Sequence, residues 1–240
     1  MNYDEIVKAL AFFLSNECNV SHGRIRTLLS ELTGGKVELS DGMPNHLCEE
    51  SALKSGSEKK EITSRLMSSP VMNADFTNIN VQSTRVLVLA SPVNGAALYI
   101  VREKKGHEGI KWTPLEDYVG TVVHDHDRTF YRYRTRYQEC TQHDCRYLIW
   151  GKENELLFLH DKRIPANNSF YEKPARVYKR KQKQAMVLRS QKSLGYICDG
   201  LSTVHLLRTD ARNVYQEITA IFEHKSPQKP KKEVEANVLT

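Results

Sequence analysis

The 240-residue chain is 40% hydrophobic and 27% charged, long enough and apolar enough to bury a sizeable core, and its net charge of +6 is compatible with a polyanionic partner. No apolar run approaches the length of a membrane span, and the opening MNYDEIVKALAFFL carries acids where a secretory leader would be basic, so neither a membrane nor a secretory destination is expected. Its five cysteines are scattered, odd in number and without CxxC spacing, which argues for a reducing, cytoplasmic compartment and against a disulfide framework.

Residues 1–69 read as helical. Ile6, Leu10, Phe13 and Leu14 recur at helical spacing, as do Ile25, Leu28, Leu29 and Leu32. Ser21 is placed to cap the second of these helices and Thr33-Gly34-Gly35 to stop it, while Ser40-Asp41-Gly42 offers a further start. The pattern fits a helix-turn-helix or any other small helical bundle.

After Ser69-Pro70 the texture changes to short runs rich in β-formers: Val71 to Phe76, Val86 to Ala90 and Ala97 to Val101. Links this short predict an antiparallel meander. A polar connection, EKKGHEGIKWTPLEDY, leads to a fourth strand at Thr121 to His124, followed by an expected short helix at Arg128 to Tyr137 and the segment QECTQH. Residues 168–183 and the amphipathic stretch Val214 to Phe222 read as helices, and residues 225–240 have the composition of a disordered basic tail. No internal repeat is visible.

Three acids fall on elements able to bring them together. Asp75 lies in the first strand, Asp125 ends the fourth, and Glu172 begins a helix after Asn167-Asn168. If the first and fourth strands are neighbours, three carboxylates converge. Such a set suits two Mg²⁺ (or Mn²⁺) ions, which prefer hard oxygen ligands and can stabilise both attacking and leaving oxygens in phosphoryl displacement. Asp127 competes with Asp125 as ligand; its position also suits it to cap the next helix. A zinc site from His124, His126 and His143 with Cys140 or Cys145 is the alternative, although its spacing matches no strong zinc motif. Residues Arg176 to Lys192 contain Arg176, Lys179, Arg180, Lys181 and Lys183 and no acid, a pattern for either a solvated helix face or a phosphate-binding surface.

In combination and in order, NADFTNINV, KGHEGIKWTPLEDYVGTVVHDHDRTFY, QECTQH and NNSFYEKPARVYKRKQKQAMVLRSQK resemble the core of insertion sequence 66 family transposases, bacterial DDE enzymes. The resemblance runs to about Phe222. It implies an α/β, RNase H-like mixed sheet, three antiparallel strands plus parallel strands, flanked by helices and preceded by the small helical segment. It assigns residues 70–224 to the catalytic core. By resemblance Asp75, in Asp75-Phe76-Thr77, is the first catalytic acid, Asp125 the second and Glu172 the third. Cys140 and His143 match the family's Cys-x-x-His, and Arg176 with Arg180-Lys181 its basic positions. The implied activity is two-metal phosphodiester cleavage and strand transfer, with transposon ends and target DNA as partners. A nucleoid-associated place in the bacterial cytoplasm, and a homo-oligomer, would follow.

The family's members are about twice as long, with upstream DNA-binding parts, and carry a long insertion where only 46 residues separate Asp125 from Glu172 here. The expectation is therefore a shortened transposase with its acids retained and transposition impaired, or a non-catalytic DNA-binding remnant. Pro174 adds a local expectation: for Glu172 to be well placed, its helix should begin late, near Tyr171. Where the family commonly has Arg after the Glu, this chain has Lys173.

Overall fold

The computed structural model describes residues 3–78, 84–131, 136–140, 157–184 and 190–224, with only the backbone of residues 183 and 184. His143, Cys145, Arg189 and the expected tail at 225–240 lie outside the described residues, as does the side chain of Lys183.

Four helices open the chain: α1 (Glu5–Asn16), α2 (His22–Leu32), α3 (Met43–Lys54) and α4 (Gly56–Ser68). Asp4 caps α1 by accepting the Ile6 N–H at 3.1 Å, satisfying one of the donors a helix start leaves open. Ser21 occupies the N-cap position of α2 without a side-chain cap bond.

The sheet has five strands in the order β3-β2-β1-β4-β5: β1 (Val71–Asn78), β2 (Arg85–Ala90), β3 (Ala97–Arg102), β4 (Thr121–His124) and β5 (Tyr137–Glu139). The expected meander forms, with β1–β2 and β2–β3 antiparallel. β4 joins the other side of β1 in parallel, and β5 pairs in parallel with β4. Between β3 and β4 lie two short helices, α5 (His107–Ile110) and α6 (Pro114–Asp117).

The helix expected over Arg128 to Tyr137 is corrected. Helix α7 covers Arg128–Tyr131, and Tyr137–Glu139 is β5. β4 would otherwise be an edge strand, and Tyr137 to Glu139 supply the pairing its backbone needs, extended by Cys140 N–H to His124 carbonyl at 3.0 Å. After α8 (Leu157–His160), three helices close the chain: α9 (Ser169–Gln184), α10 (Gln191–Thr209) and α11 (Val214–Glu223).

Both sheet faces are covered. Met72, Ala74, Phe76, Leu87 and Leu89 pack on one side with Ile62 and Leu66 of α4 and with Ile110, Leu115 and Tyr118. Val86, Val88 and Tyr99 pack on the other with Tyr171, Ala175 and Tyr178 of α9 and Leu194, Cys198 and Leu201 of α10. Ser202 of α10 accepts the Tyr99 N–H at 3.1 Å, covering the open edge of β3. The first three helices share a further core with Val204, Leu207, Ile218 and Phe222 of α10 and α11, so the two ends of the chain are packed together. No described helix is long and apolar enough to cross a membrane.

Candidate active site

The parallel register of β1 and β4 pairs Asn73 with Val123. Two residues further on stand Asp75, within β1, and Asp125, in the bend just past the end of β4, near enough for the two charges to interact. Asp75 is 9% exposed. Burial first, then the Asp125 charge beside it, push its carboxyl up to about 7; the Phe76 N–H, 2.6 Å from Oδ1, and the Lys105 ammonium oppose that shift. A buried carboxylate beside a half-buried one cannot ionise as cheaply as a lone one, and a divalent cation held by hard oxygens removes the conflict. Their chemistry fits Mg²⁺ or Mn²⁺.

Asp127 is differently employed. It accepts the Thr129 N–H at 3.0 Å, capping α7, and the Lys105 ammonium at 2.9 Å. Burial works against its charge, but these donors hold its carboxyl below the usual range.

Helix α9 crosses the Asp75 face of the sheet. Asn168, 3% exposed, accepts from Asn73 Nδ2 at 2.7 Å through Oδ1, and its N–H donates to Cys140 Sγ at 3.1 Å. Asn167 Oδ1 takes the Ser169 N–H at 3.0 Å and shapes the entry. The helix begins at Ser169, earlier than the Tyr171 start expected from Pro174, which lies inside it. Pro174 has no N–H to offer the Phe170 carbonyl. Its own carbonyl accepts the Tyr99 hydroxyl at 3.0 Å, so tertiary packing holds the proline where local preference would not.

Asn168, Tyr171, Ala175 and Tyr178 form the sheet-facing stripe of α9, and the buried Tyr171 phenol faces Asp75 and Thr77. Burial and the two aspartates raise that phenol's pKa. Glu172 lies beside this stripe. Its carboxylate, 41% exposed, pairs with Arg176 at 2.9 Å. The structure thus brings Asp75 and Asp125 together, while Glu172 is engaged by its own helix. Among the described residues no group of three or more His, Cys, Asp or Glu is gathered as a metal site.

The basic positions divide. Arg176, Lys179 and Arg180 are exposed. Lys181 is 6% exposed, and its ammonium donates to the Ser15 carbonyl at 2.7 Å and hydroxyl at 2.6 Å. It ties α9 to α1 and is not open to a phosphate; burial lowers its pKa.

Of the zinc alternative, His124, His126 and Cys140 are among the described residues, and each is engaged elsewhere. His124 is fully buried against the rings of Phe130, Tyr131 and Tyr137, with centroids 5.3, 4.9 and 5.5 Å away. Burial, then the charge of His126, lowers it to about 4, so it is a neutral ring at physiological pH. His126 contacts Glu139 at 3.3 Å, and Cys140 is used by Asn168. Asn73 and Tyr171 are site residues that sequence alone did not single out, and Asn168 entered only through the Asn167-Asn168 pair that precedes Glu172. The signal that could have found Asn168 and Tyr171 as sheet-facing residues is the spacing 168, 171, 175 and 178, one face that begins on an amide.

No protein-family model, curated protein or solved structure matches this chain.

Proposed function

We propose that the chain is the shortened catalytic core of a DDE-type insertion-sequence transposase, RNase H-like in fold, acting on the phosphodiester backbone of DNA. The reading is carried by the juxtaposition of Asp75, in β1, and Asp125, just past the end of the parallel β4, beside a helix that follows Asn167-Asn168 and bears Glu172. The strand order supports it: a three-stranded meander joined through β1 to two parallel strands delivers both aspartates to one end of the sheet.

In this mechanism Asp75 and Asp125 would hold Mg²⁺ or Mn²⁺, with Glu172 as the third ligand. The metal, when bound, would supply Lewis-acid stabilisation of the attacking and leaving oxygens. The protein supplies the rest. Burial of the Asp75 carboxylate lowers the local dielectric and strengthens its hold on a cation. The Asn73–Asn168 bond fixes α9 over the pair. Arg176, Lys179 and Arg180 project from α9 to neutralise DNA phosphates, contacts that position the backbone without reading sequence.

A second reading, a non-catalytic DNA-binding remnant, is favoured by one observation: the Glu172 carboxylate is paired with Arg176. The two readings separate on one experiment. The purified chain is incubated with transposon-end DNA and Mg²⁺, alongside Asp75→Ala. Metal-dependent nicking or strand transfer that Asp75→Ala abolishes supports the enzyme. DNA affinity without cleavage, unaltered in Asp75→Ala, supports the remnant.

A further inference from the structure

The connection between β3 and β4 holds a large aromatic side chain out in solvent. Trp112 is 89% exposed, yet its backbone is tightly held. Its N–H donates to Glu116 Oε2 at 2.7 Å, and the preceding Lys111 carbonyl accepts from Arg102 Nη2 at 2.7 Å. Thr113, next in the chain, is buried and donates its hydroxyl to the Ile110 carbonyl at 2.6 Å. Ile110 and Leu115 on either side are fully buried in the sheet core. Trp112 itself has φ 61°, a left-handed conformation that is costly for a bulky residue and persists only where its surroundings enforce it. An indole left to solvent on a floppy loop would mean little. One thrust outward by a seat anchored on both flanks is pre-organised for a partner.

The connection leaves β3 at the acid end of the sheet, and Ile110 and Leu115 of the seat pack on the face opposite Asp75. Lys105 of the same connection bonds Asp127 and sits 6.0 Å above the Phe76 ring, next in sequence to Asp75. Arg102, which holds the Lys111 carbonyl, ends β3 at the strand terminus paired with Arg85 of β2. A strand of DNA crossing that end of the sheet would meet the start of this connection, where Lys104 and Lys105 are exposed beside Glu103.

We propose that Trp112 is a nucleobase platform: its indole stacks on an unpaired base of a DNA strand engaged at the Asp75–Asp125 end of the sheet. The inference takes its substrate class from the function proposed above and adds that the bound DNA has a locally unstacked base. Any base offers a π-face, so the contact would be strong without being sequence-specific.

The test compares the full chain with Trp112→Ala and Trp112→Phe, all in a Trp150→Phe background so that residue 112 alone reports by fluorescence. The probes are a fully paired duplex, the same duplex with one unpaired thymine, and one with an abasic nucleotide at that position, all in EDTA. The expected result is quenching of Trp112 by the unpaired-thymine duplex and a roughly tenfold loss of affinity for it in Trp112→Ala, the effect of removing one stacked base. Trp112→Phe should retain most of the affinity, and the paired and abasic duplexes should bind all variants alike. Equal binding of the unpaired-thymine duplex by the parent and Trp112→Ala overturns the inference. So does an equal loss on every probe, or a change of oligomeric state in Trp112→Ala, which would make a second copy the occupant. Cleavage of the same probes in Mg²⁺ reads the nuclease separately. Cleavage without any effect of Trp112 sinks only the platform; Trp112-dependent binding without cleavage sinks only the nuclease.

Discussion

The Asn73 side-chain amide donates to Oδ1 of Asn168 at 2.7 Å, two residues before Asp75 on the same strand face. This bond between buried side chains pins the start of α9 to the centre of the sheet. Asn168→Ala leaves the Asn73 amide without that acceptor, an expected loss of about 1–3 kcal/mol. In urea unfolding, Asn73→Ala should show a similar loss, and the double variant should lose less than the two singles combined. Additive losses would mean that the two amides are not coupled.

Asp75 makes stability depend on pH in a specific direction. Its folded pKa of about 7 lies above the ordinary 3.8, so between those values the folded state binds more protons than the unfolded state. Stability from this group is fully present below about pH 4 and is lost as pH rises toward 7 and beyond, by about 1.4 kcal/mol for each pH unit within that window. Asp75→Asn should therefore be more stable than the parent at pH 8 in EDTA and should flatten the pH dependence in this window. Adding Mn²⁺ should stabilise the parent more at pH 8 than at pH 5, because only ionised carboxylates bind it, and should leave Asp75→Asn little changed. Urea midpoints at the two pH values, with and without metal, check both expectations.

Local pattern carried much of this architecture, and its failures have identifiable causes. Short runs of β-formers announced β1, β2, β3 and β4, tight links the meander of the first three, and the aspartates were legible because each interrupts or ends an apolar run. Strand β5 was not legible. Its three residues, Tyr137 to Glu139, are too few to show a period, and only the open edge of β4 makes them a strand. Helix α10 was missed for the opposite reason: it buries Leu194, Cys198, Leu201, Ser202, Thr203, Val204 and Leu206 on several sides, leaving no single apolar stripe. The different roles of Lys181 and its basic neighbours were also invisible in sequence. A run of like charges does not tell which side chain the helix turns toward Ser15.

That division within the basic run predicts opposite outcomes for two sets of substitutions. Replacing Arg176, Lys179 and Arg180 together by Ala should weaken binding to duplex DNA and reduce the slope of log affinity against log salt by up to about 3, near 0.9 for each phosphate no longer neutralised. Lys181→Ala should leave that slope unchanged and lower the melting temperature by removing the tie to Ser15. Lys181→Met keeps the buried stem without the charge, and its stability should vary less with pH. The parent carries a lysine whose folded pKa is depressed by burial, so its stability rises with pH toward the unfolded value of 10.5. Salt titrations of DNA binding and melting curves across pH distinguish the two groups.

Gly109 controls how the connection bearing Trp112 sits on the strand bearing Asp75. A Cβ at this position would lie 2.3 Å from the Lys104 carbonyl oxygen and 2.9 Å from Cζ of Phe76. The first clash is with backbone and cannot be relieved by a rotamer change. The second is with a ring stacked on Phe130 at 5.9 Å within the core. Gly109→Ala must therefore lift the connection or displace Phe76, with an expected destabilisation of about 1–3 kcal/mol as overpacking. Because Lys105 and Trp112 belong to the same connection, the variant should also become more sensitive to proteolysis between β3 and β4. Gly23→Ala is the control: no atom lies within 4 Å of a Cβ there, and replacing glycine inside a helix should be neutral or mildly stabilising. Limited proteolysis of both variants, with urea midpoints measured in parallel, checks whether the seat of the connection or glycine content in general sets stability here.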